Sequence, residues 1–115
     1  YFTRILADKL KEKGLDTIVT AAHPGWTATD LQRHASGANI MNRFFAQGIE
    51  MGALPTLYAA LGEDAENNDF FGPDGFMEMR GYPVKVSPNK KAKIKETAEK
   101  LWEVSEKMTG AKFIV

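Results

Sequence analysis

The chain has 115 residues, enough for one domain that buries very roughly two-thirds of the surface its unfolded form exposes. Its 43% hydrophobic and 26% charged residues exclude wholesale disorder, and 15 basic residues cancel 15 acidic ones, leaving no overall field for nucleic acid or an anionic membrane. Without cysteine there is no disulfide or thiolate metal site, and no apolar run approaches the ~20 residues of a membrane span, so a soluble, cytoplasmic protein is expected.

The first 13 residues carry apolar side chains at Tyr1, Phe2, Ile5, Leu6 and Leu10, a helical stripe, with Gly14 placed as its C-terminal cap. No capping residue or methionine precedes the stripe, which reads as the interior of a helix and therefore as a piece of a longer protein. Residues 16–22, DTIVTAA, are short, β-branched and then apolar, the pattern of a strand buried on both faces. Thr29 is placed to cap a short helix reaching Arg33, and residues 34–39 read as loop. From Gln47 to Leu61 a helix is predicted with Ile49, Ala53, Leu54, Leu57, Tyr58 and Leu61 on its inner stripe and Pro55 bending it. Asp69–Phe76 reads as a brief strand entering a tight turn at Pro73. Ser87 and Pro88 stand as N-cap and first residue of a last helix, lined inside by Ala98, Leu101, Trp102, Ser105 and Met108 and ended by Gly110.

Strands alternating with helices of this length predict an α/β fold with a parallel sheet. Two strands are too few for a self-sufficient sheet, which again points to a piece of a larger domain. No internal repeat or linker suggests a boundary within 1–115.

The run IVTAAHPGWTAT, residues 18–29, resembles the segment of short-chain dehydrogenases/reductases in which the sixth strand of a Rossmann sheet ends in P-G-x-x-x-T. DFFGPDGF at 69–76 followed by Gly81-Tyr82-Pro83 resembles the last strand and turn of their retinol-dehydrogenase-like branch, and GALPTLYAA at 52–60 fits its preceding helix. The resemblance covers nearly the whole chain. It implies a partial Rossmann-type parallel sheet, its last two strands, with flanking helices, and a parent that moves hydride between NAD(P) and a small-molecule carbonyl or alcohol. It implies cofactor-binding roles for Pro24 and Gly25, which shape the turn, for the Thr27 backbone on the nicotinamide carboxamide, and for the Thr29 hydroxyl. That role suits the chemistry of open α/β sheets, whose ligands lie at the carboxyl ends of strands. The plainer alternative is that Pro24-Gly25 ends a strand and Thr29 caps a helix.

The rest of the family's machinery is missing from these residues. None of the ten glycines forms G-x-G-x-x-G, and Tyr1, Tyr58 and Tyr82 are followed four places on by Ile5, Gly62 and Val86, so there is no Y-x-x-x-K. The chain alone is therefore expected to lack catalytic residues and to bind no cofactor on its own. His23 and His34 lack metal-ligand spacing, the acidic Asp64, Glu66 and Asp69 lack a calcium-loop pattern, and Gly48-x-x-x-Gly52 reads as close helix packing. Trp26, Phe44 and Phe45 read as core or as lining of a substrate lid. The competing reading is a non-catalytic α/β module that forms a homo-oligomer through open strand edges and apolar surface. Neither reading involves nucleic acid or membrane.

Overall fold

The computed structural model describes residues 1–28 and 46–113. Helix α1, Phe2–Glu12, buries Ile5, Ala7 and Leu10. It ends as its glycine predicts: Gly14, at φ +70°, donates to the Lys11 carbonyl (2.9 Å), and Leu15 reaches back to that of Leu10 (3.1 Å), which satisfies two terminal carbonyls.

Strand β1, Ala21–Ala22, is far shorter than the expected 16–22. It pairs in parallel with β2, Phe70–Pro73, with Ala21 opposite Phe70 and Ala22 opposite Phe71. The expected burial on both faces does not hold, since Ile18 is 52% exposed. Ala21 and Ala22 are themselves only half-buried, because among the described residues the helix at Ile49–Leu61 is the one that packs on β1. A third strand, β3, Pro83–Lys85, runs antiparallel to β2, so the sheet is mixed, in the order β1-β2-β3. The sequence predicts no separate strand after Gly81-Tyr82-Pro83. The three residues of β3 are too few to show an alternating pattern, and Pro83 tolerates its place because it begins the strand.

Helix α2, Ile49–Leu61, covers the sheet, but not with the predicted stripe. Its buried residues are Gly52, Pro55 and Ala59, whereas Ile49, Leu57 and Leu61 are 68%, 52% and 76% exposed. Close approach decides the face: Thr20 Oγ1 donates to the Ala59 carbonyl (2.8 Å), and a Cβ on Gly52 would overlap Thr27. Only small or compact residues fit there. Pro55 and the core residue Phe71 are fully buried, and Tyr58 packs its ring on Phe71 at 5.2 Å.

The last helix, α3, Lys95–Thr109, starts later than Ser87-Pro88 suggested. Ser87 Oγ accepts from the Lys93 ammonium, and Asn89 instead caps a 3-10 turn over Lys90–Lys93 by accepting from the Lys91 N–H (2.9 Å). Gly110, at φ +71°, closes α3 as expected. Of the predicted inner face only Ala98 and Trp102 are buried; Leu101 and Met108 face solvent. Trp102 stacks on Phe2 of α1 at 4.5 Å and meets Phe113 edge-on at 5.4 Å, so a narrow aromatic seam joins the two helices.

Candidate functional site

Because β1 and β2 are parallel, their carboxyl ends open on one edge, and the chain leaves both through turns there. After β1 comes His23-Pro24-Gly25-Trp26-Thr27; after β2 comes the loop 74–82 that leads into β3. Gly25 sits at φ +64°, in the left-handed region that glycine adopts without steric cost, and a Cβ there would strike the Met79 carbonyl. That carbonyl accepts the Trp26 N–H at 2.6 Å.

The loop is fastened to the turn at two further points. His23 Nδ1 lies 3.3 Å from the Gly25 N–H, which can only donate, so Nε2 carries the proton and donates to Glu78 Oε2 at 2.9 Å. Space for the imidazole comes from Gly72, where any Cβ would overlap it. Gln47 makes the second connection: its Nε2 donates to the Pro24 carbonyl (2.8 Å) and its Oε1 accepts from the Gly81 N–H (3.0 Å). The Pro24 carbonyl also accepts from Thr27 Oγ1 at 2.9 Å.

Thr27 is 8% exposed and forms a parallel bridge with Gln47. In that bridge the Gln47 N–H donates to the Trp26 carbonyl (2.9 Å) and its carbonyl accepts from the Ala28 N–H (3.1 Å). The peptide groups of Thr27 itself therefore point away from Gln47, and among the described residues neither its N–H nor its carbonyl is taken up. An N–H and a carbonyl directed away from Gln47 at the carboxyl edge of parallel strands are backbone groups of the kind that ligands of open α/β sheets meet. A planar primary amide, with one carbonyl and one NH2 group, is complementary to that pair.

Pro24, Gly25 and Thr27 are thus brought together in one turn. Thr29, His34, Phe44, Phe45 and the short helix and loop read at 29–39 lie outside the described residues. Gln47, Glu78, Met79 and Gly81 are the site residues that sequence reasoning missed. The sequence reads Gln47 only as the first residue of the following helix; it lies two residues before that helix and is 8% exposed.

The acidic loop near the opposite end of β2 proves to be an ion-pair site. Lys85 lies 2.9 Å from Asp69 and 3.7 Å from Glu66, while Asp64 accepts from the Tyr58 hydroxyl at 2.8 Å and so holds that phenol above its ordinary pKa. Among the described residues no three potential metal ligands come together, and no helix is long and apolar enough to cross a membrane.

No protein-family model matches the chain. Over 95% of its length it is 30% identical to mouse retinol dehydrogenase 13, and over 97% it is 33% identical to human retinol dehydrogenase 12. It spans about a third of the length of these relatives, 33% and 34%, and aligns with their C-terminal part. A crystal structure of an uncharacterised protein from Mycobacterium paratuberculosis matches 99% of the chain with 31% identity and a TM-score of 0.72, the chain covering 36% of that protein.

Proposed function

We propose that this chain, which resembles the C-terminal portion of the retinol-dehydrogenase-like short-chain dehydrogenases/reductases, contributes the nicotinamide-side turn of an NAD(P)-dependent oxidoreductase. The observation that carries this reading is the direction of the Thr27 N–H and carbonyl, turned away from Gln47 at the carboxyl edge of parallel strands. Its N–H and carbonyl would hold the nicotinamide carboxamide, with Pro24 and Gly25 fixing the turn and the Thr29 hydroxyl as a further contact. When bound, the cofactor supplies or accepts the hydride; the substrate is a small-molecule carbonyl or alcohol. The relatives are retinol dehydrogenases by name, which makes an apolar alcohol the first compound to try. Trp26, Phe44 and Phe45 are proposed to line the substrate lid. Pyrophosphate binding and proton transfer have no G-x-G-x-x-G or Y-x-x-x-K here, and are assigned to parts of the parent outside these 115 residues.

The test is nucleotide binding by the full-length enzyme. Thr29→Val, nearly isosteric but lacking the hydroxyl, is expected to weaken cofactor binding by about 1 kcal/mol, roughly fivefold, the scale of one hydrogen bond. Unchanged affinity would return Thr29 to the role of a helix cap.

A second reading, self-association of the chain into a homo-oligomer, is favoured by the exposure of Ile49, Leu57 and Leu61 along one side of α2. Titrating NAD(P)H into the isolated chain, with Trp26 and Trp102 fluorescence and light scattering as readouts, separates the two. A cofactor-blind oligomer supports association; a monomer that binds in the micromolar range removes it.

A further inference from the structure

We propose that Gln47 is a positioning residue for the cofactor turn, an inference that rests on the reading above. It is 8% exposed and makes four hydrogen bonds that tie three segments together. Its backbone holds Trp26 and Ala28 on either side of Thr27. One end of its side-chain amide holds the Pro24 carbonyl, and the other holds the Gly81 N–H of the loop 74–82.

The orientation of the amide is dictated by its partners, since a carbonyl can only accept and a backbone N–H can only donate. Gln47 therefore brackets the peptide of Thr27 from both its main chain and its side chain, and sets where the Thr27 N–H and carbonyl point. A hydrophobic residue of similar size would keep the backbone bridge and lose both side-chain anchors. An ionised carboxylate would place an acceptor against the Pro24 carbonyl, whereas a protonated carboxyl has one donor and one acceptor and restores the pattern.

This predicts an unusual pH signature for Q47E in the full-length enzyme. Burial against a carbonyl raises the new carboxyl's pKa, so the mismatch is present near about pH 8 and is relieved toward about pH 5. The segments that Gln47 touches also carry His23, Glu50, Asp74, Glu78, Arg80 and Tyr82, so a wild-type profile measured in parallel removes their contribution.

The experiment measures Kd for NADPH and NADH, steady-state KM and kcat, and Tm across that pH range for wild type and Q47E. Expected are a loss of nucleotide affinity of about tenfold or more at the alkaline end and its recovery on acidification, with kcat at saturating nucleotide within a few-fold of wild type. Q47E binding like wild type at alkaline pH, or a loss that acid does not relieve, overturns the proposal. Should Q47E not fold, Q47M is read instead: a tenfold rise in nucleotide KM at near-normal kcat supports positioning, and wild-type KM overturns it. Wild-type enzyme that binds no nucleotide sinks the cofactor reading and this proposal together, whereas normal wild-type binding with an indifferent variant sinks the role of Gln47 alone.

Discussion

Gly48, the N-cap of α2, and Gly52 in its first turn do different work. Nothing lies within 4 Å of a Cβ at Gly48, whereas one at Gly52 would overlap the Thr27 side chain that donates to Pro24. Gly52→Ala should gain about 1 kcal/mol from helix propensity but lose about 1–3 kcal/mol to overpacking, so a net loss in denaturant unfolding is expected. Gly48→Ala is the control and should change little, and Thr27→Ala in the Gly52→Ala background should recover part of the loss. A more stable Gly52→Ala would show that the helix can move away from the turn. At this scale the sequence was partly legible. P-G-x-x-x-T located the turn, and the close packing read from Gly48-x-x-x-Gly52 holds at Gly52 but not at Gly48. Gln47, Glu78 and Gly81 were not legible, because their partners lie 23, 55 and 34 residues away and no local pattern encodes such distances.

Among the elements, β2 and β3 are held at one end by the Lys85 pair with Asp69. Burial pushes the Asp69 carboxyl up, but the Lys85 ammonium and the Glu66 N–H, at 2.7 Å, outweigh it and hold the group below its ordinary pKa. Lys85 is held above its own ordinary value, first by the hydrogen bond to Asp69. A depressed carboxylate adds stability above its unfolded pKa of about 4 and loses it as the pH falls through the folded value. A raised ammonium adds stability below about 10.4 and loses it as the pH rises through the folded value. Asp69→Asn should therefore lower Tm between those limits, and the difference from wild type should close at acid pH and shrink in high salt. A Tm deficit that persists unchanged under strong acid would assign the effect to packing. The elements themselves were legible where periodicity or glycine marked them, as at Gly14 and Gly110. The inner face of α2 was not, because the packing of small residues against the sheet overrode apolarity. The start of α3 is displaced because Asn89 caps a separate 3-10 turn over Lys90–Lys93, and α3 begins only after it, behind Ile94 and without a side-chain cap.

Among the described residues the helices do not enclose the sheet. The radius of gyration is 16.6 Å, against about 13 Å for a compact chain of this length. The α1–α3 pair has its own small core of Ile5, Ala98 and Trp102, while α2 packs on the sheet around Phe71. An open cavity of about 590 Å³, lined by Tyr1, Ala21, Phe70 and Pro88 among others, lies beside β1. The α/β class and the parallel β1-β2 pairing followed from element order, but the openness did not, since a composition typical of globular proteins reports how much apolar surface exists and not whether this chain can bury it. Exposed Ile49, Leu57 and Leu61 recur every four or eight residues along α2, and such a stripe favours association with a second apolar surface. Replacing Leu57 and Leu61 by Glu should leave the monomer fold intact, because both side chains already face solvent, with far-ultraviolet dichroism and Tm close to wild type. In sedimentation velocity, the isolated wild-type chain should show a concentration-dependent oligomer and the double variant a shift toward monomer. If both sediment alike as oligomers, association runs through the open edge of β1 or the cavity beside it. A monomeric wild-type chain would mean that the α2 stripe is too narrow to hold two copies together.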